Sequence, residues 1–127
     1  MKLRTLIESK QSLENLLKGS LPINVAWELK KFVKLANPEL SSFEELRNQK
    51  IIELGYEKEV DGNTVSEVKK ENLPVFRKDI EELMDKDIDI IPPQIKISDL
   101  IGYKNIDGKE INISTADLML LDWLIIE

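Results

Sequence analysis

The chain has 127 residues, of which 42% are hydrophobic and 33% are charged, and its formal net charge is −6. This length predicts a single domain, residues 1–127, with a core of modest size. The sequence has neither histidine nor cysteine, which removes the usual zinc ligands, the usual general base and the thiolate nucleophiles. The acidic balance also argues against binding to nucleic acid, because neutralising phosphates needs a basic surface.

The sequence also lacks the patterns of several other protein classes. No apolar run is long enough to span a bilayer, and the first residues, Met1 to Glu8, do not resemble a signal peptide. The glycines are isolated, so neither a phosphate-binding loop nor a dinucleotide-binding fingerprint is present. We therefore expect a cytoplasmic bacterial protein that has no catalytic residue, cofactor, metal or small-molecule substrate and binds no membrane.

Two helices are predicted in the first half of the chain. A capping-box pattern at Thr5–Glu8 predicts a first helix that begins after Thr5, with Gly19 as a left-handed C-cap. The second helix is predicted from about Ile23 to Leu54, with Gly55 ending it. Its apolar stripe is spaced by threes and fours and consists of Val25, Leu29, Phe32, Ala36, Leu40, Phe43 and Leu46. Because the stripe keeps its phase across Pro38, one kinked helix is favoured over two helices.

The next region combines a polar stretch with a third helix. Asp61–Asn63 is a turn signal within a polar segment, which leaves a loose hairpin and a mobile loop as alternatives. A further helix is predicted to begin near Asn72, its N-cap. Its apolar residues Leu73, Phe76, Ile80 and Leu83 form a short seam that can pack antiparallel against the long helix.

The pattern changes after Asp87 from helical to extended. Residues 88–90 and 95–97 alternate and predict short strands, and Asp107–Gly108 predicts a hairpin. A second capping pattern then predicts a last helix over Ser114–Glu127. The fold class is therefore α+β and mainly helical: a long kinked helix paired with a second helix, a small β-hairpin element and a C-terminal apolar helix.

The last predicted helix is apolar over most of its circumference. A helix with no polar face is either buried in its own chain or docked on another one. We therefore identify Leu118, Leu121, Trp123 and Ile125 as candidate residues for binding a protein partner or a second copy of the chain. The other tryptophan, Trp27, lies beside the apolar stripe of the long helix and is interpreted as a core residue.

The acidic residues near the end of the third predicted helix are candidates for a metal site. The segment from Asp85 to Asp89 resembles the opening of a calcium loop, but Ile90 and Lys96 stand where that loop needs glycine and glutamate. Glu81 and Glu82 are interpreted, with Asp85, as a solvated helix face. No calcium or magnesium site is predicted.

Three stretches resemble a family of short, uncharacterised proteins of phages and prophages of Gram-positive bacteria. They are Leu16 to Tyr56, with the runs LPINVAWELKKFVK and FEELRNQKIIELG; Phe76 to Leu100; and ISTADLMLLDWLI at Ile113 to Ile125. Pro38 and the Pro92–Pro93 pair depart from the family's usual pattern. The resemblance implies a phage-encoded origin and brings no activity and no site residues.

Three functional hypotheses follow. The leading one is a non-enzymatic phage or prophage accessory protein, such as an assembly factor or chaperone, that binds proteins and forms a homo-oligomer. The alternative is an acidic inhibitor of a host protein that mimics nucleic acid, which requires Glu81, Glu82, Asp85, Asp87 and Asp89 to form one patch. The third is a metal enzyme that uses carboxylates alone.

Overall fold

A computed structural model describes residues 1–100 and 113–127 of the chain. The α-helices are α1 (Leu3–Leu17), α2 (Ile23–Leu54), α3 (Leu73–Met84) and α4 (Thr115–Leu120). The strands are β1 (Gly55–Val60), β2 (Asn63–Val68), β3 (Ile95–Lys96) and β4 (Ile125–Ile126), and short 3₁₀ turns lie at Lys70–Asn72 and Ile97–Asp99. The predicted class, α+β and mainly helical, is confirmed. The hairpin predicted at Asp107–Gly108 lies outside the described residues.

Helix α2 has the predicted bounds and runs through Pro38 without a break. All of the predicted stripe is buried except Leu46, which is exposed. Pro38 is exposed, so water can solvate the backbone carbonyl that loses its helical donor at the proline. One continuous helix therefore carries the stripe, as its phase predicted.

The hydrophobic core forms around the first part of α2. Leu6, Leu13 and Leu16 of α1 pack on the buried stripe from one side. The remaining buried side chains come from the second half of the chain: Ile90, Ile95, Leu100, Leu121 and Leu124. The core is therefore closed by residues that are distant in sequence.

Helix α1 begins earlier than predicted. It starts at Leu3 and not after Thr5, and no side chain caps its first turn. The N–H of Leu3 instead donates to the carbonyl of Lys86 at 2.9 Å, and the N–H of Ile88 donates to the carbonyl of Met1 at 2.9 Å. This pairing with the segment after α3 satisfies the helix start without the capping box. Gly19 does not have the predicted left-handed conformation. Among the described residues, only Asp61 and Gly62 have positive φ.

The polar segment after α2 forms a hairpin. Strands β1 and β2 pair antiparallel, with Gly55 opposite Val68 and Val60 opposite Asn63. Asp61 and Gly62 have φ of 52° and 80°, which are the two positive values that a type I′ turn requires. Of the two alternatives that the sequence left open, the structure has the hairpin.

Helix α3 packs back along α2, as predicted. The Asn72 side-chain amide donates to the Leu54 carbonyl at 2.9 Å, so it holds the start of α3 against the end of α2 and does not cap its own helix. Further along, Lys50 Nζ lies 3.5 Å from Asp79 Oδ2. No residue of α3 is buried, so the predicted seam is only partly covered.

The C-terminal segment differs from its prediction. Ser114 caps α4 as expected, accepting from the N–H of Asp117 at 3.0 Å. The helix predicted to reach Glu127 instead ends at Leu120. The chain then turns, and β4 pairs parallel with β3, where the N–H of Ile95 donates to the carbonyl of Leu124 at 2.9 Å. The pairing of β4 with β3 takes the place of the further helical turns that were predicted after Leu120. The strand expected at residues 88–90 does not form.

Gly55 lies where α2 passes directly into β1. A Cβ at this position would overlap with the backbone oxygens of Ile51 and Glu67. Both obstacles are backbone atoms of the helix end and of the opposite strand, so neither can move aside as a side chain could. The absence of a side chain at Gly55 therefore lets the hairpin follow the helix without a linker.

We expect Gly55→Ala to destabilise the fold by about 1–3 kcal/mol, because the added methyl forces the backbone apart. Urea unfolding followed by circular dichroism measures this difference. Ser66→Ala, an exposed position on β2, is the control and should change stability by less than about 0.5 kcal/mol. Equal stability of the two variants would contradict this account of Gly55.

Candidate protein-interaction site

The C-terminal residues predicted to bind a partner lie mostly against this chain's own core. Leu121 is completely buried, while Leu118, Trp123 and Ile125 are partly buried. The Trp123 ring lies 5.5 Å from the ring of Phe32, centroid to centroid, and its Nε1 donates to the Leu120 carbonyl at 2.9 Å. Leu121, Trp123 and Ile125 thus belong to the core or pack against it, whereas Leu118 lies on α4, which contacts α1. Their role in partner binding stays a prediction, and Leu121 has no free surface for it.

Asp117 attaches the C-terminal segment to α1. A hydrogen bond from Ser12 and further ones from Ser114 and Asn15 hold the pKa of Asp117 below its usual range. Ser12 is a buried polar residue of α1, so its hydroxyl needs this partner. The carboxylate therefore joins α1 to the start of α4.

The prediction for Trp27 was wrong, because its side chain is 58% exposed and not part of the core. Trp27 is two residues from Val25 and two from Leu29, and two residues correspond to about 200° around a helix. Its side chain therefore points away from the buried stripe. The Lys31 ammonium lies 5.9 Å from the ring centroid, and it also contacts Glu28 at 3.0 Å.

Further apolar side chains are exposed on α2 and on the segment beside it. Ile23, four residues before Trp27 and on the same side of α2, is 82% exposed, and Leu35 is 60% exposed. Ile91 is 90% exposed and lines a cleft of about 380 Å³ together with Leu35. We call Ile23, Trp27, Leu35 and Ile91 the Trp27 surface.

The cleft connects the Trp27 surface to the core. Its walls are α2 and the segment Ile91–Pro93, and Phe32, which contacts Trp123, also lines it. The two prolines have fixed φ and lack N–H donors, so they make a stiff wall. Phe32 is buried, so the cleft ends at a residue of the core.

Sequence reasoning missed this site, although a signal was present. Counting at 100° per residue places Ile23 and Trp27 opposite the buried stripe. Ile91 could not be found in this way, because its position beside α2 depends on the path of an irregular segment.

The acidic residues near the end of α3 are partly neutralised. Arg4 of α1 pairs with Glu81 and lies 3.0 Å from Asp85 Oδ1. The hydrogen bond to Glu81 and, as the next largest cause, the one to Asp85 raise the pKa of Arg4. Within residues 1–100 and 113–127, no three acidic side chains are close enough to hold a metal ion. The same ranges contain no helix that is both long and apolar enough to cross a membrane.

Comparison with known proteins identifies no relative. No family model matches the sequence, and neither a curated protein nor a solved structure matches the chain. The resemblance to phage and prophage proteins therefore stays a prediction.

The lowered pKa of Asp117 predicts a pH dependence of stability. Because the folded state favours the charged form, the contribution of Asp117 is complete above its unfolded pKa, near 3.8, and is lost as pH falls through the folded value. We expect Asp117→Asn to lower stability at pH 7 and to lower it less at pH 2. Urea unfolding at both values measures this change.

Asp122→Asn, at an exposed position in the same segment, is the matched control and should have a small effect at both pH values. A stability difference between Asp117→Asn and the natural chain that is the same at pH 7 and pH 2 would contradict the assigned role of the Asp117 carboxylate.

Proposed function

We propose that this protein is a non-enzymatic accessory protein that acts by binding another protein. The observation that carries the proposal is the exposure of Ile23, Trp27, Leu35 and Ile91 around one helix. The inner side of α2 is already covered by the chain's own core, so these side chains are not needed for folding. Adjacent exposed apolar side chains are typical of protein-binding surfaces.

The composition of the Trp27 surface supports a protein as the ligand. Tryptophan is among the residues that contribute most to binding energy at interfaces, and aromatic side chains are enriched there. Glu28 and Lys31, both exposed beside Trp27, provide a polar rim of the kind that surrounds such contacts. The open cleft next to Leu35 and Ile91 offers a place for one projecting apolar side chain of the partner.

The biological setting belongs to the same proposal. The resemblance to phage and prophage proteins favours an assembly factor or chaperone that works in the host cytoplasm. Self-association through the Trp27 surface would make the protein a homo-oligomer, with the partner being a second copy. Sedimentation equilibrium of the purified chain distinguishes this arrangement from binding to a different protein.

A second candidate function is an acidic inhibitor of a host protein. Glu82, Asp87 and Asp89 are exposed at or just beyond the end of α3, which favours a negatively charged contact surface. Glu81 and Asp85 share the guanidinium of Arg4, and this pairing reduces the negative charge that the patch can present. We therefore favour the Trp27 surface over the acidic surface as the main site of protein binding.

The test is affinity capture from host cells that express the tagged natural chain, followed by a binding titration with the recovered partner. We expect Trp27→Ala to weaken binding by about 2 kcal/mol or more, which is roughly thirtyfold, because a buried interface tryptophan loses its contacts. Ile91→Ala should weaken binding in the same direction.

Ile52→Ala is the matched control, because Ile52 is an exposed isoleucine on α2 outside the Trp27 surface. It should bind as the natural chain does. Thermal unfolding of all variants confirms that the fold is retained. Unchanged affinity of both Trp27→Ala and Ile91→Ala would exclude the Trp27 surface as the binding site.

A further inference from the structure

A second cleft lies on the other side of the exposed ridge of α2. It has a volume of about 320 Å³ and is formed between α2 and the connection from α1. Its apolar lining includes Leu17, Leu21, Ala26 and Val33, and Lys30 and Lys34 stand at its edge. The opening therefore combines an apolar surface with two ammonium groups.

The two lysines that line this cleft have no acidic partner among the described residues. Lys10, Lys31 and Lys50 each lie within 3.5 Å of a carboxylate oxygen of this chain. Lys30 and Lys34 form no ion pair with any acidic side chain in the described parts of the chain. Most other basic side chains of the described residues also form no ion pair, so Lys30 and Lys34 are distinguished by their position in the lining of an apolar cleft. Two positive charges are thus left beside an apolar cleft.

We propose that this cleft binds an acidic amphipathic segment of a partner protein. Apolar side chains of the segment contact Leu21 and Val33, and its carboxylates pair with Lys30 and Lys34. The inference rests on the proposed protein-binding function, and it specifies the chemistry of the partner. Charge complementarity selects this occupant, because carboxylates beside Lys30 and Lys34 gain a charge pairing that an uncharged apolar segment does not offer.

The spacing of the lysines favours a helical segment. Residues four apart on a helix have Cβ atoms about 5–6 Å apart on the same face, so Lys30 and Lys34 match two carboxylates that are themselves four residues apart on a partner helix. Ammonium groups on flexible stems accept carboxylates over a range of directions. Lys30 and Lys34 also lie seven residues after Ile23 and Trp27 respectively, so one partner could contact both the cleft and the Trp27 surface.

The experiment uses synthetic end-capped peptides of five helical turns as probes. The first peptide carries a row of leucines bordered by two glutamates that are four residues apart. The second peptide has the same sequence with glutamine in place of each glutamate. Each is titrated into the full chain, with amide shifts of residues 17–34 followed by NMR. The test variant is Lys30→Glu with Lys34→Glu. The control is Lys69→Glu with Lys70→Glu, which makes the same change in net charge at exposed positions outside the cleft.

The proposal expects the glutamate peptide to shift the cleft residues and to bind more tightly than the glutamine peptide. The affinity for the glutamate peptide should fall at least about tenfold in Lys30→Glu/Lys34→Glu. The same affinity should be unchanged in the control variant, Lys69→Glu/Lys70→Glu. Equal binding of both peptides, equal weakening by both variants, or no shift at millimolar peptide would each overturn it.

Two further results would assign the cleft to another occupant and so overturn the proposal. One is binding of dodecanoate at these residues without binding of the peptide. The other is self-association, measured by sedimentation, that Lys30→Glu/Lys34→Glu abolishes. If Trp27→Ala abolishes partner capture while no peptide binds, this inference fails and the proposed function stands.

Discussion

The fold depends on burial of the inner face of α2. Val25, Leu29 and Phe32 begin the stripe on which the side chains of α1 pack from one side. Ile95, Leu121 and Leu124 complete the core from distant parts of the chain. Fully burying a side chain of this size stabilises a fold by about 1.5–3 kcal/mol, so the stripe decides where the remaining elements lie. With its inner face covered, α2 presents its outer face to solvent.

This division of α2 changes the functional interpretation of the two tryptophans. The apolar character of the last segment suggested an interface, but Leu121 and Leu124 are buried in this chain, and Trp123 contacts Phe32. Trp27 has the opposite environment, since its side chain is 58% exposed and the ammonium of Lys31 lies 5.9 Å from its ring centroid. Exposed apolar side chains also occur on the hairpin, on α3 and on α4. We assign the partner to the Trp27 surface, which includes the exposed tryptophan.

Local patterns in the sequence predicted what local physics determines. The spacing of the α2 stripe, Gly55 after the helix and the positive-φ pair Asp61–Gly62 each act within a few residues, and the structure has the corresponding features. Several of the predictions that failed did so because a distant segment supplies the partner. The start of α1 is satisfied by the Lys86 carbonyl, and α4 gives way to β4 through pairing with Ile95. For the site, helix geometry could have identified Trp27, whereas the neighbourhood of Ile91 is a tertiary property.

The central claim is that Trp27 faces solvent while Trp123 is held against the core. Acrylamide quenching of the single-tryptophan variants Trp123→Phe and Trp27→Phe tests it most directly, because each variant reports one indole. The account predicts strong quenching and long-wavelength emission from Trp27, with weaker quenching and shorter-wavelength emission from Trp123. A protected Trp27 together with a freely quenched Trp123 would contradict the assignment of core and surface.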